Sequence, residues 1–155
     1  MPGRVVIIMG SKSDLEHVDK ITAHLDAFGI SYTRRVASAH KSVRHLLAIL
    51  EELEEPVVLI TVAGRANALG GMVDANTPWP VITCPAVSSA FAGADIYSSL
   101  RMPSGVAPLV VLEPEGAALA AAKMLALSDP ALRARIVAYQ SKMEDDIVAA
   151  DKSLM

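Results

Sequence analysis

The chain has 155 residues, of which 52% are apolar and 20% are charged, and its net charge is −3. This composition favours a folded protein over a disordered one. The acidic balance and the 4% aromatic content argue against nucleic acid or an anionic membrane surface as the main partner.

Length and the two ends of the sequence set further expectations. A chain of this size suits one core, so we predict a single domain over residues 1–155. No secretory leader precedes the first apolar run, and no apolar stretch reaches the roughly 20 residues that a membrane span needs. We therefore expect a cytoplasmic protein with no membrane partner.

The chain opens with a predicted strand and helix. Val5–Met9 is a continuous β-branched run, which is typical of a strand buried on both faces of a parallel sheet. Ser13–Glu16 matches a capping box, which predicts a helix start. Gly29 predicts the end of that helix. Its apolar residues recur at spacings of three and four: Leu15, Val18, Ile21, Leu25 and Phe28.

The alternation of strand and helix continues along the chain. Further buried runs predict strands at 30–36, 57–62, 81–84 and 109–112. Amphipathic or alanine-rich stretches predict helices at 43–53 and 117–127, the first with apolar Val43, Leu46, Leu47, Leu50 and Leu53. This order predicts an α/β fold: a three-layer, doubly wound parallel sheet of the flavodoxin-like or Rossmann-like kind. Cys84, the single cysteine, lies in an apolar run and is expected in the core.

A long helix is predicted at the C-terminus. Asp129 and Pro130 form a helix start, and one apolar stripe follows: Leu132, Ile136, Tyr139, Met143 and Ile147. Such a helix lies either on its own domain or across a neighbouring subunit, and the sequence leaves both open.

Polar residues that follow the first two predicted strands are candidates for a site, because ligands of parallel sheets bind beyond the carboxyl ends of the strands. In Gly10–Asp14 the glycine permits close backbone approach, Ser11 and Ser13 offer hydroxyls beside a helix N-terminus that suits phosphate, and Asp14 can accept from a ribose hydroxyl. An ordinary helix cap explains this segment equally well. Ser38–Lys41 places a histidine beside a lysine, a candidate acid/base and anion-binding pair.

A third candidate, 63–72, follows the third predicted strand as a glycine-rich loop. Arg65 binds phosphate or pairs with an acidic neighbour at a subunit contact, and the second is slightly favoured. Asn67 and Asn76 either cap helices or bond substrate. Metal, P-loop, dinucleotide and serine-hydrolase signatures are absent from the sequence, so no metal or cofactor is expected.

Four segments together, in order along the chain, resemble the phosphoribosylaminoimidazole carboxylase family of purine biosynthesis. They are Met9-Gly-Ser-Lys-Ser-Asp14, Ser38-Ala-His-Lys41, Ala63-Gly-Arg-Ala-Asn-Ala-Leu-Gly70 and Ser99-Leu-Arg-Met-Pro-Ser-Gly105. The mutase branch of that family carries Arg where Lys41 stands, and a second histidine where the Asn67 segment stands. Both departures resemble the branch that adds carbon dioxide directly to aminoimidazole ribonucleotide.

The resemblance implies a role for each site segment. It implies that His40 is the catalytic histidine and that Lys41 assists it. It implies substrate contacts from three loops: Gly10, Ser11, Ser13 and Asp14; Ser38, Ala39 and Lys41; Gly64, Arg65, Ala66 and Asn67. It further implies reversible carboxylation without ATP or metal, with carbon dioxide as co-substrate, and a homo-oligomer, an octamer.

Other functions stay open as alternatives. Within the family, the alternative is the mutase, which moves a carboxylate from the exocyclic nitrogen to C4. Outside it, a non-catalytic nucleotide-binding module is possible. A receiver-type signalling domain fits poorly, because the first and third strands end in Met-Gly-Ser and Ala-Gly-Arg rather than in acidic residues.

Overall fold

Five parallel strands form one sheet in the order β2-β1-β3-β4-β5. They are β1 Arg4–Met9, β2 Tyr32–Val36, β3 Val57–Val62, β4 Val81–Thr83 and β5 Leu109–Val110. The structure is a computed structural model that describes residues 3–54 and 56–155. Met1, Pro2 and Glu55, which belong to the predicted 1–155 domain, lie outside the described residues.

Helices cover both faces of the sheet, which confirms the predicted α/β architecture. They are α1 Leu15–Ala27, α2 Val43–Glu51, α3 Ala68–Ala75, α4 Tyr97–Leu100, α5 Pro114–Leu125 and α6 Pro130–Lys152. Helices α1, α5 and α6 contribute to the core on one face, and α2 and α3 to the core on the other. Two 3₁₀ helices, Lys12–Asp14 and Ala90–Ile96, complete the secondary structure of the described residues.

Strand β1 shows why its sequence is apolar without alternation. Val5, Ile7 and Met9 point into one core, and Val6 and Ile8 into the other, all at most 1% exposed. Each such side chain contributes roughly 1.5–3 kcal/mol by leaving water. A central strand that is covered on both faces therefore needs apolar residues at every position.

The register of the three central strands decides where a ligand can lie. Met9 pairs with Val36 of β2 and with Val62 of β3, so the three strands end at the same level. The chain order reverses between β1 and β3, because β2 lies on one side of β1 and β3 on the other. Such a switch point opens a crevice beyond the strand ends.

Two predicted local features were wrong in detail. The capping box lies two residues earlier than predicted: Ser11 is the N-cap, its N–H donates to Asp14 Oδ2 at 3.1 Å, and Ser13 N donates to Ser11 Oγ at 3.2 Å. The segment 63–72 is a loop only up to Asn67, because α3 begins at Ala68. Gly29 ends α1 as predicted, with a positive φ of 65° and its N–H donated to Asp26 O.

Helix α6 divides into a packed half and an exposed half. Leu132 and Ile136 are buried in the core beside α1 and α5, and the Tyr139 ring packs edge-on against Phe28 with centroids 5.3 Å apart. Farther along the same stripe, Met143 is 43% exposed and Ile147 is 73% exposed. The first half therefore lies on its own domain.

None of the described helices is both long enough and apolar enough to cross a membrane.

Candidate functional site

A cavity of about 520 Å³ opens beyond the carboxyl ends of β1, β2 and β3. It is lined by Gly10, Ser11, Ser13, Asp14, Ser38, Ala39, His40, Lys41, Ala63, Gly64, Arg65, Ala66, Leu69, Ala86 and Ser88. The three segments that the sequence singled out therefore meet at one place. His40 and the Ser11 turn, which are distant in sequence, border the same cavity.

The turn after β1 is held by its own hydrogen bonds. Besides the two capping bonds, Ser13 Oγ donates to Ser11 Oγ at 3.0 Å and Gly10 N donates to Val62 O at 2.9 Å. Gly10 has no positive φ, and a Cβ there would meet nothing closer than Val62 O at 3.8 Å. The backbone does not require this glycine, so its effect is to leave room in the cavity.

Asp14 is a partly buried carboxylate at the cavity wall. Burial raises its pKa above the ordinary value, while the Ser11 N–H and the charge of His17 act in the opposite direction. A Cβ on Gly64 would lie 3.2 Å from Asp14 Oδ1, so a glycine at position 64 allows the third loop to approach this carboxylate closely.

The turn after β2 presents His40 and Lys41. Lys41 N donates to Ser38 Oγ at 3.1 Å, Ser38 N donates to Ser42 Oγ at 2.8 Å, and Ser42 N donates to Ser38 O at 3.0 Å. These bonds fix the backbone of the turn. The side chains of His40 and Lys41 are exposed and bond no other described residue, so both remain available to a ligand.

The loop after β3 places Gly64, Arg65 and Ala66 on the cavity. Arg65 is exposed and forms none of the salt bridges found among the described residues. It therefore pairs with no acidic neighbour among the described residues, and its guanidinium can meet an anion in the cavity.

Asn67 is the one predicted contact residue that does not line the cavity. It is 4% exposed, and its Oδ1 caps α3 by accepting from Gly70 N at 3.0 Å. Its Nδ2 donates to Thr83 Oγ1 and to Ser99 Oγ. The structure thus gives Asn67 the capping role, one of the two uses the sequence allowed, rather than a place on the cavity surface.

The glycines at positions 70 and 71 also differ from expectation. They lie inside α3, where a Cβ on Gly70 would meet Thr83 Oγ1 at 2.9 Å and one on Gly71 would meet Met102 Sδ at 3.0 Å. They serve close packing of the helix and do not line the cavity.

The sequence reasoning missed the wall formed after β4. Ala86 and Ser88 line the cavity because Ala86 N donates to Ala63 O at 3.1 Å and draws this segment beside the third loop. The sequence did contain a signal for this wall, because Ala86 and Ser88 also follow a predicted strand at the ligand-binding edge of the sheet.

The described residues contain no group of three or more histidine, cysteine, aspartate or glutamate side chains placed to hold a metal ion. The polar side chains that line the cavity are an imidazole, an ammonium, a guanidinium, the Asp14 carboxylate and serine hydroxyls. This set suits a small anionic substrate with sugar hydroxyls and a proton to be removed.

The chain is similar to known proteins of one family. The profile of the AIR carboxylase family matches residues 4–146. A phosphoribosylaminoimidazole carboxylase of Archaeoglobus fulgidus is 55% identical over 97% of this chain and 84% of its own length. One of Treponema denticola is 46% identical over 97% of this chain and 96% of its own length. A crystal structure of Treponema denticola PurE superposes with a TM-score of 0.95 at 45% identity, covering 98% of both chains.

Proposed function

The chain belongs to the AIR carboxylase family, and on that premise we propose that it is a phosphoribosylaminoimidazole carboxylase of purine biosynthesis. Its reaction joins carbon dioxide to C4 of 5-aminoimidazole ribonucleotide and gives the 4-carboxy product, reversibly. The observation that carries this proposal is the meeting of three strand-end loops, with His40 and Lys41 free beside the Ser11 turn, in a chain that matches this family almost throughout.

The substrate contacts follow from the chemistry of the cavity wall. We propose that the ribose phosphate lies against Gly10, Ser11 and Ser13, where hydroxyls and a helix start face the cavity. Asp14 accepts from a ribose hydroxyl. The Gly64–Ala66 loop lies close to Asp14, with the Arg65 guanidinium as a partner for the phosphate.

Ser38 and Ala39 complete the wall around the aminoimidazole. The Ser38 hydroxyl accepts from Lys41 N, which leaves its own proton to donate to the substrate. The small side chain of Ala39 leaves space for carbon dioxide beside the imidazole. Holding two small reactants in one cavity supplies much of the rate gain.

The chemical step needs a base and a cation. The electron-rich C4 attacks the carbon of carbon dioxide, a C–C bond forms, and the electron pair of one C=O bond moves to oxygen as carboxylate. C4 then bears both a proton and the new group. His40 accepts that proton, the C–H electron pair restores the aromatic ring, and Lys41 balances the carboxylate charge. Because the amino-substituted ring is itself the nucleophile, no cofactor is required.

One assay tests this function against the mutase. Purified protein is supplied either with aminoimidazole ribonucleotide and bicarbonate as the carbon dioxide source, or with the N5-carboxyamino nucleotide alone. We expect the 4-carboxy product only from the first mixture. Product only from the second would establish the mutase, and binding without product in either would leave a non-catalytic nucleotide module.

Further properties of the whole protein are proposals of the same kind. We propose that residues 1–155 form one AIR carboxylase domain that acts in the cytoplasm as a homo-oligomer, by resemblance an octamer. Exposed apolar side chains support assembly: Phe91 is 85% exposed, Tyr97 72% and Ile147 73%. Sedimentation velocity measures the assembly directly, and a monomer at micromolar concentration would contradict it.

A further inference from the structure

A buried hydrogen-bond network lies directly behind the third-loop wall of the cavity. Asn67 Nδ2 donates to Thr83 Oγ1 at 2.6 Å and to Ser99 Oγ at 2.9 Å, while its Oδ1 accepts from Gly70 N at 3.0 Å. All three side chains are at most 4% exposed. Both polar atoms of the amide are therefore engaged inside the protein.

The backbone of Asn67 reaches the same segment. Asn67 N donates to Ser98 Oγ at 2.9 Å, and Ser98 Oγ donates to Asp95 O at 2.6 Å. One residue thus binds two consecutive serines, one through its main chain and one through its side chain. We refer to Asn67, Thr83, Ser98 and Ser99 as the Asn67 clamp.

The segment that the clamp holds begins in the cavity. Ser88 lines the cavity, and Ser98 and Ser99 lie at the far end of the same segment. Between these ends, Phe91, Ala92 and Gly93 have φ values of 49°, 53° and 75°, a left-handed run that side chains rarely adopt. Local propensity does not favour this backbone, so its position depends on the anchors at its ends.

Position 70 shows how closely the clamp is packed. A Cβ on Gly70 would lie 2.9 Å from Thr83 Oγ1 and 3.2 Å from both polar atoms of the Asn67 amide. Position 70 therefore needs a glycine, because any side chain would separate the Asn67 amide at the end of β3 from Thr83 of β4. Because this contact is close-packed, a small displacement of Thr83 or of the Asn67 amide also displaces the cavity wall at 63–66.

We propose that Asn67 is a positioning residue of the carboxylase site. By joining the end of β3 to Thr83 of β4 and to the segment 88–99, it holds two walls of the cavity at the separation that the nucleotide requires. It does not touch the substrate. This inference rests on the proposed function, which supplies the ligand and the reaction by which the separation is measured.

Two substitutions at Thr83 separate the hydrogen bond from packing. Thr83→Val keeps the shape and removes the hydroxyl, which leaves one buried amide hydrogen of Asn67 and the hydroxyl hydrogen of Thr61 unpaired. We expect KM for aminoimidazole ribonucleotide to rise about tenfold with kcat within about twofold, because binding to ground and transition states is weakened alike. Thr83→Ser loses a methyl group but keeps the hydroxyl, and its KM should stay within about twofold of wild type.

Two further variants complete the test. Ser99→Ala removes the second acceptor of the clamp and should raise KM in the same direction as Thr83→Val. Thr61→Val removes the other hydrogen bond of Thr83 Oγ1, which Thr61 Oγ1 donates at 3.1 Å, and keeps both bonds of the Asn67 amide nitrogen; it should lower Tm without changing KM. Melting curves confirm that each variant is folded.

The outcomes distinguish the two proposals. Wild-type KM in both Thr83→Val and Ser99→Ala, with Tm lowered as in Thr61→Val, would overturn the positioning role and leave the carboxylase standing. Equal KM increases in Thr83→Ser and Thr83→Val would overturn it as well. If wild type does not carboxylate, the proposed function fails, and the clamp is then tested on the Kd of aminoimidazole ribonucleotide. Absence of such binding overturns both.

Discussion

Two histidines at the same edge of the sheet differ in what surrounds them. His40 lies in the cavity at the ends of β1, β2 and β3, exposed and bonded to no other described residue. His17, on α1, lines a second cavity of about 440 Å³ near the ends of β4 and β5, together with Lys20 and Glu113. Its ring is partly buried, and Nε2 lies 3.4 Å from Cys84 Sγ.

Cys84 connects His17 to the segment after β5. Cys84 Sγ donates to Leu112 O at 3.6 Å and lies within hydrogen-bond distance of His17 Nε2. Burial raises the pKa of Cys84 to about 12, and burial together with Lys20 lowers the pKa of His17. The thiol and the imidazole together join α1 to the sheet. Both rings border a cavity, so the comparison teaches that the hydrogen-bond partner distinguishes them: the structural histidine contacts Cys84, and the candidate base bonds no other described residue.

The strongest way to break this comparison is to remove His40. His40→Asn should lower the carboxylation rate by about 10²- to 10⁴-fold, because no group would take the C4 proton. Binding of aminoimidazole ribonucleotide, measured by calorimetry, should persist. His45→Asn, at an exposed histidine of α2, is the matched control. Unchanged turnover in His40→Asn would exclude this residue as the base.

Lys41 tests whether a cation belongs beside the imidazole. Lys41→Met keeps the aliphatic stem but cannot balance the carboxylate, so we expect kcat to fall by about ten- to a hundredfold. Lys12→Met changes an exposed lysine that does not line the cavity, and its steady-state rates should match wild type. Equal rates for the two variants would remove Lys41 from the chemical step.

Asp14 distinguishes substrate contact from helix capping. Asp14→Ala should raise KM for the nucleotide about tenfold and lower the free energy of unfolding by about 1 kcal/mol. Asp129→Ala removes only a cap, the bond that Leu132 N donates at 2.9 Å, and should give the stability loss alone. If both variants keep the wild-type KM, the proposed ribose contact is refuted.

The smallest expected effect concerns His17. Because the pKa of His17 is lowered in the folded protein, the folded protein binds a proton at His17 less readily than the unfolded chain does. The stabilising contribution of neutral His17 is therefore present above pH 6.5 and is lost as the pH falls through the folded pKa. Tm is measured between about pH 5 and pH 8, and His17→Gln should reduce the change in Tm over this range by about 2 °C at most. Turnover should stay unchanged. A large loss of turnover would contradict the structural role.

Much of the fold was predictable because burial on both faces leaves a plain sequence signal. The run Val57–Val62 forms β3 within the predicted limits, and Cys84 is fully buried as expected. Short edge strands gave weaker signals: the predicted 109–112 strand shrinks to Leu109–Val110, which pairs with β4 on one side only. Helix α3 was not predicted because Gly70 and Gly71 disfavour a helix and interrupt its apolar pattern. These glycines are required only because the helix packs closely against Thr83 and Met102.

The sequence by itself determined the strand–helix alternation and the identity of the polar residues at the strand ends, because hydrophobic periodicity and helix signals are local. The tertiary structure alone decided that Met9, Val36 and Val62 end at one level, so that His40 meets the Ser11 turn. It alone turned Asn67 inward and brought Ser88 to the cavity wall. Those outcomes depend on strand register and on packing between distant segments, which no local pattern encodes.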